Sequence, residues 1–210
     1  MRPLGDGALR FARPATLDAR ELLERLRAWP RVVDAVVTEE HACIYFDPGT
    51  IPDDPTEAMA RWAHEPPDRL VRTVTVRARY DGADLDLVAR RTALSVDDVI
   101  RLHAAREYVV VTVGFLPGFA YLGGLDPRLV LPRLERPRAR VEAGAIGIAA
   151  SYTGVYPFAS PGGWNLIATA VDFCPFSPKR GARLALGDRV RFEPEGPLPG
   201  AETHFLASTT

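Results

Sequence analysis

The sequence predicts an α+β chain in two unequal units, and three observations carry that prediction. Residues 4 to 80 alternate strand-like and helix-like patterns, and from residue 108 onward short apolar runs are set among turns. A pair of capped helices lies between the two regions. Glycine and proline number 17 and 19 in 210 residues, punctuation that suits many short strands better than a helical bundle.

The first unit, residues 1–80, opens with a strand near Leu4 to Phe11. Ala19, Leu22, Leu23, Leu26 and Trp29 then recur at helical spacing, with Thr16 as the expected N-cap and Pro30 as the stop. Val32 to Val37 and Ala42 to Phe46 read as strands, the second closed by Asp47-Pro48-Gly49. A second helix is expected from Asp54, with Pro55 at its first position, Glu57 in a capping box and an apolar face of Ala58, Met59, Trp62 and Ala63. Val74, Val76, Ala78 and Tyr80 alternate with polar residues, a half-exposed strand. The resulting β-α-β-β-α-β order is a split βαβ, ferredoxin-like arrangement.

Residues 81–106 read as a helical connector. Asp84 caps a helix through Leu85, Val88 and Ala89; Ser95 caps another carrying Val96, Val99, Ile100 and His103. The pair resembles a helix-turn-helix, but Asp97 and Asp98 open the second helix and would face phosphate, so packing between two domains is the expectation. Residues 107–210 read as a small β-barrel, with strands at Val109 to Val113, Ala145 to Ala150 and Arg189 to Glu193.

Composition narrows the chemistry. Lys+Arg at 26 against Asp+Glu at 27 gives a net charge of -1, without the basic excess of a nucleic-acid binder. Lys179 is the only lysine and lacks the spaced glycines of a phosphate loop. Cys43 and Cys174 do not make a disulfide framework, and His41, His64, His103 and His204 lack metal-ligand spacing, so no metal site is expected. With no apolar leader after Met1 and no span of roughly 18 apolar residues, a reduced, cytoplasmic protein is expected.

Two blocks stand out. Gly114-Phe115-Leu116-Pro117-Gly118-Phe119-Ala120-Tyr121-Leu122-Gly123-Gly124 packs aromatics and glycines directly after a buried strand. It is either a tight turn whose aromatics plug the barrel or the wall of an apolar slot. In Ser160-Pro161-Gly162-Gly163-Trp164, paired glycines offer an anion nest, or a structural turn with Trp164 in the core. Thr153 adds a hydroxyl, Asp188 reads as turn chemistry, and His103 as either a carbonyl-bonded structural residue or a proton shuttle.

These blocks, with L-P-R, R-P-R, V-E-A-G-A-I-G-I-A, T-G-V-Y-P and G-D-R-V-R-F, closely resemble the family of the 5-oxoprolinase B subunit, the kinase inhibitor KipI and allophanate hydrolase subunit 1. The resemblance implies a ferredoxin-like first domain and a cyclophilin-like barrel. It also implies two partners, a cyclophilin-like C subunit and an A subunit, which together with this chain open 5-oxoproline to L-glutamate using ATP. The ATP is left open to binding by a partner. Alternatives within the family are a KipI-like histidine-kinase inhibitor and a carboxyltransferase-type subunit acting on a urea-derived amide. Carried onto this chain, the resemblance assigns His103, Tyr121 and Thr153 as catalytic. It assigns Phe119, Tyr156, Pro161, Gly162, Gly163 and Trp164 as substrate-binding. The chain departs from the family pattern at Glu142 (commonly proline), Tyr152 (often glutamine), Ala159 (a glutamate) and Ala168-Thr169-Ala170-Val171, where G-R-T-P is usual.

Overall fold

A computed structural model describes residues 2–14, 17–52 and 71–196. Its N-terminal sheet is a four-stranded antiparallel sheet in the order β1-β2-β4-β3, formed by β1 (Arg2–Leu4), β2 (Ala8–Ala12), β3 (Val32–Val37) and β4 (His41–Phe46). The single strand expected over 4–11 is a hairpin, because Gly5 at φ +65° turns the chain back. Helix α1 (Ala19–Ala28) crosses the inner face, where Leu22, Leu26 and Trp29 pack on Leu9, Ala35, Ile44 and Phe46. Asp18 caps the helix, accepting from the backbone N–H of Arg20 (2.9 Å) and Glu21 (3.2 Å). Thr16 lies outside the described residues, as do the helix expected from Asp54 and His64 and His204.

The strand at residues 73–79 overturns part of the expected layout. β5 (Thr73–Arg79) does not join the N-terminal sheet to complete a ferredoxin-like series. It lies in a closed barrel of seven strands, ordered β10-β7-β6-β15-β5-β12-β9. The others are β6 (Glu107–Val113), β7 (Ala120–Gly123), β9 (Ala145–Ala149), β10 (Tyr152–Val155), β12 (Asn165–Val171) and β15 (Arg189–Pro194). β5 runs parallel to β15, with Val76 opposite Phe192, and antiparallel to β12. Val76 and Ala78 are fully buried in the barrel core, which decides the pairing. Alternation names the buried face of a strand but not the sheet that it enters.

The helical pair is correspondingly more than a connector. Helices α2 (Leu85–Thr92) and α3 (Val96–Ala104) are inserted between two barrel strands, and Val88, Ala89, Val99, Ile100 and Leu102 join the barrel core. Ser95 caps α3 by accepting from the Asp98 N–H at 3.0 Å, and its hydroxyl donates to the Asp98 carboxylate at 2.7 Å. Outside the barrel, β8 (Arg138–Val141) pairs with β11 (Ser160–Gly162), and β13 (Phe176–Ser177) pairs with β14 (Gly181–Ala182).

Asp188 also exceeds its expected role as a turn residue. Fully buried ahead of β15, it accepts from Arg72 at 2.6 Å, Arg20 at 3.5 Å and the Ala185 N–H at 2.9 Å. One carboxylate thus joins α1, the approach to β5 and the turn before β15. Leu186 extends this junction by packing into the core of the N-terminal sheet.

Candidate functional site

The outer face of β7, β10 and β9 supplies the bed of a cleft. Gly147, Ala149, Ala145 and Gly154 point outward there and keep the surface shallow, so large rings can lie on it. Gly154 must be glycine: a Cβ there would stand 2.9 Å from the Ala120 carbonyl oxygen and 3.2 Å from the Phe119 ring. On this bed Phe119 meets Trp164, Tyr156 and Tyr121 edge-to-face, with centroids 5.3, 5.4 and 5.1 Å apart. Such geometry sets the positive edge of one ring against the negative face of the next.

The β8–β11 ribbon closes the other side. The cleft measures about 220 Å³ and is lined by Phe115, Phe119, Tyr121, Arg133, Pro137, Tyr156, Pro161, Gly162, Gly163 and Trp164. Seven of the nine candidate site residues therefore come together: Phe119, Tyr121, Tyr156, Pro161, Gly162, Gly163 and Trp164. Phe115, Arg133 and Pro137 are additions. Phe115 belongs to the first block, and Arg133 is the arginine of L-P-R, so both carried a sequence signal.

The glycine pair works differently from the expected anion nest. Gly162 is paired in β11 opposite Arg138, and neither Gly162 nor Gly163 has the positive φ that a nest requires. Gly162 instead makes room for a neighbour: a Cβ there would fall 2.4 Å from the Tyr156 hydroxyl. In the first block it is Phe115 that adopts a positive φ, of 73°, with 58% of its surface exposed at the cleft rim. A bulky residue in that conformation is strained, and strain of this kind clusters at ligand sites.

His103 and Thr153 lie elsewhere. Both are fully buried inside the barrel, and neither lines the cleft. Their hydrogen bonds form a directed chain. The Thr153 hydroxyl donates to the Gly147 carbonyl at 3.1 Å, so it accepts from His103 Nε2 at 3.0 Å. That leaves Nδ1 as acceptor for the Tyr80 hydroxyl at 2.8 Å, and the ring is neutral with its proton on Nε2. Burial drives the His103 pKa down to about 3 and pushes the Tyr80 phenol up. The pair expected as catalytic is therefore part of a core network and does not reach the cleft. It still touches the site indirectly, because Gly147 accepts from Thr153 on one side and underlies Trp164 on the other.

The polar departures are likewise redistributed. The Tyr152 hydroxyl donates to the Glu39 carboxylate, which holds the phenol above its usual range, and its ring meets Tyr121 at 5.8 Å. Thr169 bonds Asp81 at 2.7 Å, and Glu142 pairs with exposed Arg140 at 2.6 Å. None of Glu142, Tyr152, Ala159 and Thr169 lines the cleft. Burial raises the pKa of the Tyr156 phenol, and the Trp164 backbone N–H and the Arg133 guanidinium partly offset that rise.

Comparison with known proteins identifies the family. The chain is 39% identical over 195 residues to a protein named as the B subunit of 5-oxoprolinase from Escherichia coli O157:H7, a match spanning 87% of this chain and 88% of the relative. The crystal structure of TTHA0988 superposes with a TM-score of 0.74 at 38% identity, covering 91% of this chain but 40% of that longer one. The K. lactis urea amidolyase shares the fold, with a TM-score of 0.66 at 14% identity over 92% of this chain and 14% of its own. The family model of the carboxyltransferase domain, subdomain C and D, matches residues 1–185. The family model and the 39% identical relative place the chain in the carboxyltransferase domain C and D family, alongside proteins named as 5-oxoprolinase B subunits.

Proposed function

We propose that the chain is one component of an ATP-dependent 5-oxoprolinase-type amidohydrolase that opens 5-oxoproline to L-glutamate in the cytoplasm. Its partners in this reading are a cyclophilin-like C-subunit homologue and an A-subunit homologue. The observation that carries the reading is the aromatic cleft, assembled from family motifs in a chain 39% identical to a 5-oxoprolinase B subunit. The barrel is taken as cyclophilin-like on the same resemblance. At about 220 Å³ the cleft is smaller than the roughly 300–1,000 Å³ of clefts that enclose drug-sized ligands, so it suits a small amide and not a nucleotide. ATP is accordingly assigned to a partner, and this chain contributes substrate binding. Transfer of the γ-phosphoryl group of ATP to the lactam oxygen, with ADP leaving, would open the ring carbon to water. Collapse of that adduct would break the ring C–N bond to give an acyl phosphate, and a second water would release phosphate and L-glutamate.

The test is co-purification with the proteins of the neighbouring reading frames, followed by ATP hydrolysis with and without 5-oxoproline. A stable heteromer whose ATP turnover depends on 5-oxoproline is expected, with Tyr121→Ala reducing that turnover at least about tenfold while circular dichroism stays unchanged. A complex indifferent to 5-oxoproline overturns the assignment. Tight binding to a histidine kinase without any amide turnover would replace it with a KipI-like inhibitor.

A further inference from the structure

The arginines around the cleft are not alike. Arg138 gives its guanidinium to Asp84 at 2.5 Å and to the Trp164 carbonyl at 3.4 Å, and Arg140 holds Glu142. Arg133 lines the cleft and makes no hydrogen bond or ion pair among the described residues. It is also the only charged residue in the lining, which includes no carboxylate.

Two further donors are unpartnered among the described residues. Trp164 is 4% exposed, yet its indole N–H has no hydrogen-bond partner among the described residues. The Tyr121 hydroxyl is in the same condition. The indole nitrogen is not one of the fully buried unpartnered atoms, so solvent reaches it, and a donor exposed in the wall of a cleft is a place for a ligand oxygen. The cleft therefore presents a cation and two free donors on aromatic walls, in a volume of about 220 Å³. A guanidinium matches a carboxylate with two parallel N–H···O bonds, a geometry that neither a lone amide nor an alcohol can reproduce.

We infer that Arg133 determines the specificity of the cleft by pairing with the carboxylate of a small ring-bearing acid, while the Trp164 indole and the Tyr121 hydroxyl serve its second oxygen function. This deepens the proposed function and rests on it for the location of the site. It adds a residue role that the resemblance did not assign.

The experiment titrates the full chain with 5-oxoproline, 2-furoate, the uncharged lactam 2-pyrrolidone and inorganic phosphate, by calorimetry. The wild type, Arg133→Met and Arg133→Lys are compared, and thermal melts confirm folding, which an exposed arginine does not control. Binding of at least one ring carboxylate is expected, weakened roughly 10–100-fold in Arg133→Met and partly restored in Arg133→Lys. 2-Pyrrolidone should bind weakly and equally to all three. Carboxylate affinity unchanged in Arg133→Met, phosphate bound as well as carboxylate, or a wild type that binds no carboxylate each overturns the inference. Arg133-dependent binding of 2-furoate without 5-oxoproline binding leaves the inference standing and removes the 5-oxoprolinase reading.

Discussion

The two faces of β9 and β10 treat polar groups in opposite ways. Inside the barrel, Tyr80, His103, Thr153 and the Gly147 carbonyl pass hydrogen bonds in one direction, and no donor on that path is left over. Outside, the Tyr121 hydroxyl, the Trp164 indole and Arg133 surround a cleft, without hydrogen-bond partners among the described residues. A buried polar chain that is complete stiffens a core; donors left open at a cavity are available to water or to a ligand. The difference assigns the two groups of candidate residues to different tasks, although resemblance had gathered them into one.

Variants can break that contrast, beginning with the interior. His103→Ala should lower stability by roughly 3–5 kcal/mol in chemical denaturation, since it opens a cavity and strands the Tyr80 and Thr153 hydroxyls. The same residue gives a pH signature. Its folded pKa is depressed from 6.5 to about 3, so only the unfolded chain takes up the proton between those values. Stability should thus be full above pH 6.5 and fall by about 1.4 kcal/mol per unit as pH drops toward 3. A His103→Gln variant should lose that part of the acid dependence. An unchanged slope would mean that the ring is protonated in the fold.

Smaller effects are expected toward the surface. Gly154→Ala should cost about 1–3 kcal/mol, read as a shifted denaturation midpoint, because its methyl meets the Ala120 carbonyl and the Phe119 ring. Tyr121→Phe keeps the ring contacts and removes an unpartnered hydroxyl, so stability should stay within about 0.5 kcal/mol of wild type. A larger loss would show that this hydroxyl has a structural bond, and would move Tyr121 to the interior's side of the comparison.

Much of the barrel was legible because Val109 to Val113, Ala145 to Ala150 and Arg189 to Glu193 are short runs bounded by turn residues, and Ser95 capped its helix as its spacing indicates. Strand partners were not legible. β5 alternates as well in one sheet as in another, and only the depth of Val76 and Ala78 decides between them. Most of the cleft followed from the two aromatic and glycine blocks. His103 was misdirected because a histidine near a helix end carries no sign of which way it faces, and helical phase alone cannot distinguish a core from a cavity. Arg133 was overlooked among many arginines, since the absence of an ion-pair partner is a property of three-dimensional neighbours.

The parallel seam between β5 and β15 also sets a schedule for synthesis. β5 leaves the ribosome long before its neighbours, because β12 begins at Asn165 and β15 at Arg189. At roughly 5–20 residues per second, both of its edges stay unmatched for on the order of ten seconds. During that interval Val74, Val76 and Ala78 form an open template, and the nascent chain is most exposed to mispairing there. Arg77 and Arg79, interleaved with them, are the charges that guard it until the barrel can close.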